Sequence, residues 1–410
     1  MIMYRVHANL SVLIRGCSFL FILWLSHPLF SEITQLPDLV RSGDQSIGIN
    51  FSCTDENYQL LGEKAFIIHG AFRLVDLAEA DYRIQIALLS QPSVALRIYE
   101  KDRLMHQSKQ SEASQYESFL SALDEAVELT ARNQNLKGIF SGRFTFVGKR
   151  NSSQELYTSD FFFRRIKELT TDRSLLTRAK WSPDGQQLAF TSFHHSGFPD
   201  LFEIDLVTGE RSILAAFEGS NTGGVYSPSG DRIAMTLSVD GNSDLYILRR
   251  SDRLLRRVAK TRALESSPSW SPDGQRLVYA SDVLGQPQLF TINAQGGKQN
   301  RLKTQISRYC AEPDWNPLNP DLIAYTASIK GRFQIALHSI KRGQSTVLTS
   351  SAGGALEPSW MPDGRHLVFT ERIGRQTRLV LLDTISQKTS PLHARDFGSA
   401  SGADYVRPIN

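Results

Sequence analysis

Short apolar runs, separated by polar turns that contain glycine or proline, recur from residue 138 to the end of the chain. Within these runs apolar and polar residues tend to alternate, and alternation over about four to eight residues is typical of β-strands. One run leads into an aromatic residue, a second follows a Pro-Asp-Gly type of turn, and two further runs complete the unit. The pattern therefore predicts repeated units of four strands.

Each unit carries an aromatic residue that is followed two positions later by proline. These aromatic residues are Trp181, Tyr226, Trp270, Trp315 and Trp360, which lie 45, 44, 45 and 45 residues apart. The Ser-Pro-Asp-Gly form of the motif suits a type I turn, and the ring before it can fill the space between neighbouring sheets. We therefore interpret the motif as structural. Four-stranded units at this spacing are typical of β-propeller blades.

The two ends of the repeat complement each other. One period before residue 188 falls at Arg143, in a strand-like stretch with no aromatic unit before it. One period after Trp360 falls at Tyr405, in a strand-like stretch with no second run after it. Residues 401–408 should therefore supply the innermost strand of the blade that begins at residue 138. The predicted fold is mainly β, a six-bladed β-propeller at 138–410 closed by its own C-terminal strand.

The first 31 residues are interpreted as a secretory signal peptide. Arg5 and Arg15 precede a short apolar run at 17–25, and a cleavage position before Glu32 is consistent with the residues around it. A membrane anchor that stays attached is the alternative interpretation. Residues 32–45 are polar and have little core-forming content, so we expect a segment without a packed core.

Residues 32–136 lack the repeat and predict a small α/β domain. Strand candidates lie at 46–51, 64–68, 82–88 and 94–99, of which 64–68 is also compatible with a helix. Apolar residues at three- and four-residue spacing predict a helix over 115–133, with Ser114 as its N-cap. This helix would lead directly into the propeller.

Composition and charge narrow the function classes. The hydrophobic fraction of 41% and the charged fraction of 21% are ordinary for a globular protein. Removing residues 1–31 takes away two arginines and no acidic residue, so the formal charge falls from +4 to +2 and gives no reason to expect a nucleic-acid partner. Cys53 and Cys310 then remain. Two free thiols are favoured, and one bridge between the two parts of the chain is the alternative.

Several segments together resemble the TolB family, the periplasmic soluble components of the Tol-Pal envelope system. They are the junction Asp-Glu-Ala-Val-Glu-Leu-Thr at 124–130 with Gly-Ile-Phe-Ser-Gly-Arg-Phe at 138–144, and the repeat segments 217–228, 271–274 and 280–290. The resemblance implies a periplasmic, monomeric, non-enzymatic adaptor that supports outer-membrane integrity and cell division. It also implies two partners: a Pal-like peptidoglycan-associated lipoprotein, and a TolA-like inner-membrane protein bound through the N-terminal segment.

The loops that lead into the innermost strands should emerge on one face and surround the central channel. The period places them at 174–177, 220–223, 264–267, 309–312, 355–357 and 400–403. Solvated turns are one interpretation, and a funnel for a partner protein is the other. The resemblance implies that this mouth receives the lipoprotein, and the candidate partner-binding residues are Ser220, Asn221, Gly223, Glu265, Ser266, Ser267, Glu312 and Glu357.

The recurring carboxylates at this mouth also suggest a cation. Glu265, Glu312 and Glu357 stand at nearly equivalent positions in three loops, and three carboxylates offer oxygen ligands of the kind that hard cations prefer. Pairing with Arg262 or Arg308 is the alternative. A cation in the channel stays open, and we expect no other cofactor.

An enzymatic function has less support from the sequence. The chain contains no Gly-x-Ser-x-Gly, His-Glu-x-x-His or glycine-rich phosphate-binding motif. The alternative is a propeller hydrolase or lyase, related to the prolyl-oligopeptidase propellers but without their catalytic domain. Because the sequence stops at Asn410, next to the predicted closing strand, and because the six loops contain no histidine, we expect a protein that is not an enzyme.

Overall fold

The computed structural model describes residues 46–150, 153–394 and 397–407. The predicted signal peptide at 1–31 and the polar segment at 32–45 lie outside the described residues. Within the described ranges, no helix combines the length and the apolar character needed to cross a bilayer.

The first part of the chain forms a five-stranded sheet with two helices. In spatial order the strands are β2, β1, β3, β4 and β5. β1 runs parallel to both β2 and β3, whereas β3, β4 and β5 are antiparallel. The elements are β1 (Ile47–Cys53), α1 (Glu56–His69), β2 (Phe72–Leu74), β3 (Tyr82–Leu88), β4 (Val94–Glu100), β5 (Arg103–Gln110) and α2 (Gln115–Thr130).

Helix α1 covers residues 64–68, so of the two interpretations of that run the helix is confirmed and the strand is wrong. The Asp55 carboxylate accepts the backbone N–H groups of Asn57 at 2.9 Å and Tyr58 at 3.2 Å, and Gly70 ends the helix with φ 75°. Leu61, Ala65 and His69 are buried at four-residue spacing. A short apolar run fits a strand and a buried helix equally well, and here the N-cap and the C-terminal glycine decide between them.

Helix α2 agrees with the prediction except at its end. The Ser114 hydroxyl accepts the N–H of Glu117 at 3.3 Å, which confirms the N-cap. The helix ends at Thr130, and a short 3₁₀ turn at Arg132–Gln134 occupies the rest of the predicted span. Phe119, Leu123 and Val127 are fully buried on one face, so the three- and four-residue spacing correctly identified the face that packs on the sheet.

The remainder of the described chain forms six four-stranded antiparallel sheets, the blades of a propeller. From the channel outward, blade 1 contains β29 (Ser399–Val406), β6 (Arg143–Arg150), β7 (Ser153–Asp160) and β8 (Ile166–Glu168). Blade 2 contains β9 (Leu176–Trp181), β10 (Gln187–Ser192), β11 (Asp200–Asp205) and β12 (Arg211–Ala215). Blade 3 contains β13 (Asn221–Tyr226), β14 (Arg232–Leu237), β15 (Asp244–Arg249) and β16 (Leu255–Ala259).

The last three blades follow the same order. Blade 4 contains β17 (Glu265–Trp270), β18 (Arg276–Ser281), β19 (Gln288–Asn293) and β20 (Asn300–Arg301). Blade 5 contains β21 (Cys310–Trp315), β22 (Leu322–Ile329), β23 (Arg332–Ser339) and β24 (Gln344–Val347). Blade 6 contains β25 (Ala355–Trp360), β26 (His366–Ile373), β27 (Gln376–Asp383) and β28 (Thr389–Pro391).

The C-terminal strand closes the ring, as predicted. β29 pairs antiparallel with β6, with Tyr405 opposite Phe144 and Val406 opposite Arg143. This pairing joins the last described strand to the first blade across more than 250 residues of chain, so blade 1 has its innermost strand only because the end of the chain returns to it.

The aromatic residues of the repeat lie between blades. Trp270 of blade 4 packs with Leu245 and Ile247 of blade 3 in one buried cluster. The guanidinium of Arg232, also from blade 3, lies 4.8 Å from the Trp270 ring centre. In the turn after Trp181, the Gly185 N–H donates to the Ser182 carbonyl at 2.9 Å. These contacts confirm the structural interpretation of the motif.

Cys53 and Cys310 are both free thiols. Cys310 is buried in blade 5, where its sulfur lies 3.2 Å from the Thr304 hydroxyl. The favoured prediction of two free thiols is therefore confirmed, and the alternative of a bridge between them is wrong.

Candidate partner-binding face at the channel mouth

One face of the propeller collects two sets of loops. The innermost strand of each blade begins there, so the loop leading into that strand lies on this face. Because the second strand runs antiparallel to the first, the loop between the second and third strands returns to the same face. We call this face the mouth.

Each innermost strand carries a β-bulge near its mouth end. The pairing register shifts between Thr222 and Val225 in blade 3, for example, and between Ala311 and Asp314 in blade 5. The bulged positions, spaced 45, 44, 45, 45 and 45 residues apart, are Arg178, Gly223, Ser267, Glu312, Glu357 and Gly402.

Five of these six positions have a positive φ. The φ angle lies between 52° and 79° at Gly223, Ser267, Glu312, Glu357 and Gly402. Side-chain-bearing residues rarely adopt this conformation, and bulges of this kind redirect a side chain relative to the rest of its strand. The repeat thus places one bulged position per blade near the mouth end of the innermost strand.

Arg178 shows that these positions face the channel axis. Its Nη2 lies 2.6 Å from Glu312 Oε1, and its Nε lies 3.4 Å from Glu357 Oε1. Arg178 belongs to blade 2 and Glu312 to blade 5, three blades away, so this ion pair crosses the centre of the ring. A single guanidinium therefore bridges two carboxylates inside the channel.

The two carboxylates also hold neighbouring blades together. Glu312 Oε2 accepts the N–H of Glu357 at 2.9 Å and the Thr326 hydroxyl at 2.7 Å. Glu357 Oε2 accepts the N–H of Gly402 at 2.9 Å. Burial by itself would raise the pKa of Glu312, but Arg178 and these hydrogen bonds hold that pKa below its usual value.

The expected ring of three carboxylates is wrong. The blade 4 residue equivalent to Glu312 and Glu357 is Ser267, whereas Glu265 is fully buried two residues earlier. Glu265 Oε1 accepts the hydroxyls of Thr261 at 2.6 Å and Ser281 at 3.3 Å. Glu265 lies 47 residues before Glu312, two more than the 45 residues that separate Ser267 from Glu312. A cation in the channel stays an untested expectation, and two of its proposed ligands already share Arg178.

A second polar layer lies two residues further along the innermost strands. Lys180 Nζ lies 2.9 Å from Asp404 Oδ1 and 2.8 Å from the Ser359 hydroxyl. Asp404 Oδ2 accepts the N–H of Trp181 at 2.9 Å, and Asp314 Oδ2 accepts that of Trp360 at 2.7 Å. Each carboxylate thus accepts a backbone N–H from the next blade, so this layer connects blades.

The predicted partner-binding residues divide into two groups. Ser266 is exposed, and Ser220, Gly223, Ser267, Glu312 and Glu357 are partly exposed at the mouth. Asn221 and Glu265 are fully buried. The Asn221 amide donates to the Phe217 carbonyl at 2.8 Å and accepts the Phe217 N–H at 3.0 Å, which closes the loop leading into β13. Asn221 and Glu265 therefore shape the loops from within.

A group of exposed apolar side chains on the mouth was missed by the sequence reasoning. Phe198 is 61% exposed and Leu264 is 56% exposed. All members come from loops that belong to, or lead into, blades 2, 3 and 4. We call this group the apolar rim, and it consists of Leu175, Phe198, Phe217, Val239, Leu264, Val283 and Leu284. A cluster of exposed apolar groups on one face marks an interaction surface more strongly than single ones do.

The signal for the apolar rim was present in the sequence. Phe217 lies in segment 217–228, and Val283 and Leu284 lie in segment 280–290, both of which carried the family resemblance. Strand periodicity does not explain apolar residues inside Gly- and Ser-rich loops, so these residues indicated an exposed apolar surface.

Comparisons with known proteins agree with this architecture. A family model for the TolB β-propeller domain matches residues 130–403. A protein named TolB homolog from Chlorobium luteolum is 33% identical over 162 residues, which are 40% of this chain and 36% of that protein. The Tol-Pal system protein TolB of Bordetella pertussis is 32% identical over 163 residues, which are 40% of this chain and 37% of that protein. The chain therefore spans little more than a third of the length of these relatives.

A solved structure extends the similarity to most of the chain. The crystal structure of TolB from Acinetobacter baumannii superposes with a TM-score of 0.76 and covers 88% of this chain and 97% of that one. Sequence identity in this superposition is 20%, so the likeness is one of fold.

Proposed function

Since the chain belongs to the TolB β-propeller family, we propose that it is a non-enzymatic adaptor of a Tol-Pal envelope system. In this proposal the mouth binds a Pal-like peptidoglycan-associated lipoprotein, and the complex supports outer-membrane integrity and cell division. The Bordetella pertussis relative is named as a Tol-Pal system protein, which supports the assignment.

The apolar rim is the observation that carries the proposal. Its side chains lie in loops on one face, and these loops belong to or lead into three consecutive blades. An interface core of this kind needs apolar groups that lose water on docking, surrounded by polar groups that fix orientation. Ser220, Ser266 and Ser267 supply hydroxyls beside the rim, which suits a protein ligand.

The channel interior supports binding more than catalysis. Arg178 and Lys180 are each paired with carboxylates that also accept backbone N–H groups. A catalytic acid or base needs a proton-transfer partner within reach of substrate, whereas these groups are committed to contacts between blades. The hydrolase or lyase alternative therefore has less support than the adaptor.

The remaining parts of the proposal rest on the sequence resemblance. A periplasmic location follows from the interpretation of residues 1–31 as a signal peptide. Binding of a TolA-like inner-membrane protein would involve residues after position 31, which lie outside the described residues. A monomeric adaptor is the state that the same resemblance implies.

An affinity experiment with two matched variants tests the proposal. The purified protein is immobilised, detergent-solubilised envelope of the source organism is passed over it, and retained lipoproteins are identified by mass spectrometry. Leu264→Arg changes the apolar rim, whereas Leu254→Arg changes a residue of similar exposure, 53%, in the turn between β15 and β16 on the opposite face.

The adaptor proposal expects a lipoprotein with a peptidoglycan-binding domain on the wild-type protein and on Leu254→Arg. It expects that lipoprotein to be lost from Leu264→Arg. No retained lipoprotein, or equal retention by both variants, would contradict docking at the mouth.

A further inference from the structure

A buried cluster of three metal-ligating side chains joins the small α/β domain to blade 6. His69 is the last residue of α1, and His366 is the first residue of β26, with Asp363 in the turn before it. His69 and His366 have no exposed surface, and Asp363 is 7% exposed. One candidate ligand atom from each residue lies within 4.8 Å of the other two.

His69 is the unexplained member of this cluster. Neither of its ring nitrogens has a hydrogen-bond partner among the described residues, although the side chain is fully buried. An unpaired buried polar group normally destabilises the folded state. A neutral imidazole offers its lone pair to a metal ion, so a buried histidine ring without a partner is a candidate ligand.

His366 already has the outer contact that metal-bound histidines make. Its Nε2 donates to the His69 backbone carbonyl at 2.8 Å, and its Nδ1 lies 2.5 Å from Asp363 Oδ2. In metal sites, the histidine nitrogen that does not bind the ion usually donates to a carbonyl or carboxylate. The Nε2 contact fits that role and leaves Nδ1 as the ligating nitrogen.

The Asp363 carboxylate is also held in place. Its Oδ1 accepts the backbone N–H groups of Arg365 at 3.2 Å and His366 at 3.1 Å. The nearest guanidinium, that of Arg365, is paired with Asp383 through contacts of 2.9 Å and 2.7 Å. The charge of Arg365 is therefore largely balanced by its own partner, which reduces its repulsion of a cation at Asp363.

We propose that His69, Asp363 and His366 bind one divalent transition-metal ion of the zinc class and that this ion fastens the small domain to the propeller. Two imidazoles and a carboxylate form a ligand set that zinc accepts, and a water completes such three-residue sites. Binding displaces to solvent the one proton held between His366 Nδ1 and Asp363 Oδ2, while Nε2 keeps its proton and its hydrogen bond to the His69 carbonyl.

The rearrangement required is small. Zinc ligands at about 2.0–2.1 Å from the ion lie roughly 3.3 Å apart, so Asp363 and His366 would separate by under about 1 Å. The ligand atoms all lie within 4.8 Å of one another, so the His69 nitrogen would approach the other two by at most about 1.5 Å. The site brings together residues that are 297 positions apart in the chain, and so the ion would act across the two parts of the fold. The proposal does not depend on partner binding at the mouth.

Direct metal measurement on the full chain tests the proposal. The protein is stripped with a chelator, equilibrated with excess Zn²⁺, dialysed at pH 7.5 and analysed for bound metal. We expect one zinc per chain, a higher thermal midpoint than for the stripped protein, and release of one proton per zinc bound. Replacement with Co²⁺ should give visible absorption from a low-symmetry nitrogen and oxygen site.

Matched variants separate this site from adventitious binding. His69→Phe removes the orphaned nitrogens but keeps an aromatic ring beside Phe72 and Phe140, and it should abolish stoichiometric zinc. His338→Phe replaces another buried histidine, which is bonded to Ser345 in blade 5, and should retain one zinc. Asp363→Asn should weaken zinc binding at least tenfold.

The wild-type result decides the question even if a variant fails to fold. A stripped wild-type protein that takes up no zinc after equilibration would overturn the proposal. So would a folded His69→Phe variant that keeps one zinc with unchanged affinity.

Discussion

Removing the aromatic ring of Tyr405 should loosen the whole propeller, because this ring lies where the C-terminal strand closes blade 1. The side chain is 4% exposed, and its centroid lies 4.7 Å from that of Phe144 on the paired strand β6. Its hydroxyl donates to the buried carbonyl of Ile139. A Cβ on Gly142 would lie 2.1 Å from that hydroxyl, so the ring is tightly enclosed.

The structure sets the expected magnitudes. Tyr405→Ala removes a buried aromatic ring and leaves a cavity, which typically costs about 3–5 kcal/mol. Tyr405→Phe keeps the ring but leaves the Ile139 carbonyl unpaired, which costs about 1–2 kcal/mol. For a domain of this size, about 1 kcal/mol corresponds to roughly 1.3 °C in the thermal midpoint. The midpoint should therefore fall by about 4–6 °C for Tyr405→Ala and about 1–3 °C for Tyr405→Phe.

Thermal unfolding followed by circular dichroism measures both shifts. Leu254→Ala, an exposed position in a blade 3 turn, is the control and should change the free energy of unfolding by less than about 0.5 kcal/mol. If Tyr405→Ala had the same thermal midpoint as this control, closure of the ring by β29 would not stabilise the propeller. A chain truncated after Phe397, which lacks β29 entirely, should lose more stability than either substitution.

Three further perturbations follow from the polar contacts. Arg178→Met leaves Glu312 and Glu357 without their shared cation, so the free energy of unfolding by chemical denaturation should fall by about 2–3 kcal/mol, and adding Glu312→Gln should recover part of this loss. Asp124 pairs with Arg407 at 3.2 Å and accepts the Phe140 N–H at 2.6 Å. Asp124→Asn removes this charge, so the free energy of unfolding should fall by about 2–3 kcal/mol. The control Glu117→Gln, which changes a surface ion pair, should leave it almost unchanged. Burial lowers the pKa of His338 below its usual 6.5, so the unfolded chain takes up a proton before the folded one and stability should fall as the pH drops below 6.5. His338→Gln should make that pH dependence of the denaturation midpoint smaller, and an unchanged profile would contradict the assignment.

The repeat made most of the fold predictable. The aromatic-x-Pro spacing located the blades because each aromatic ring fills the gap between two sheets, as Trp270 does. Counting both ends of the repeat predicted the closing strand. The first blade lacks an innermost strand and the last strand lacks a blade, so pairing the two leaves neither edge open. The junction motif at 124–130 and 138–144 reflects close packing, since a Cβ on Gly138 would lie 2.3 Å from Cβ of Asp124.

Other features depend on tertiary contacts that periodicity does not encode. The run at 64–68, which is compatible with a strand or a helix, forms part of α1, and the Asp55 cap and Gly70 that decide between the two lie outside the run. Glu265 was grouped with Glu312 although it lies 47 residues before it, because the sequence does not mark which residue of each innermost strand occupies the bulge. The contact between His69 and His366 joins two separate parts of the chain, and nothing in either local sequence pairs them.

Calorimetric titration with a purified, soluble peptidoglycan-binding lipoprotein domain from the same organism tests the central claim most directly. If the mouth is the docking site, the wild-type protein and Leu254→Arg should bind with the same Kd, and Leu264→Arg should bind at least tenfold more weakly, a loss of about 1.4 kcal/mol or more. Absence of binding to the wild-type protein, or equal weakening by Leu254→Arg and Leu264→Arg, would contradict an adaptor that binds at the mouth.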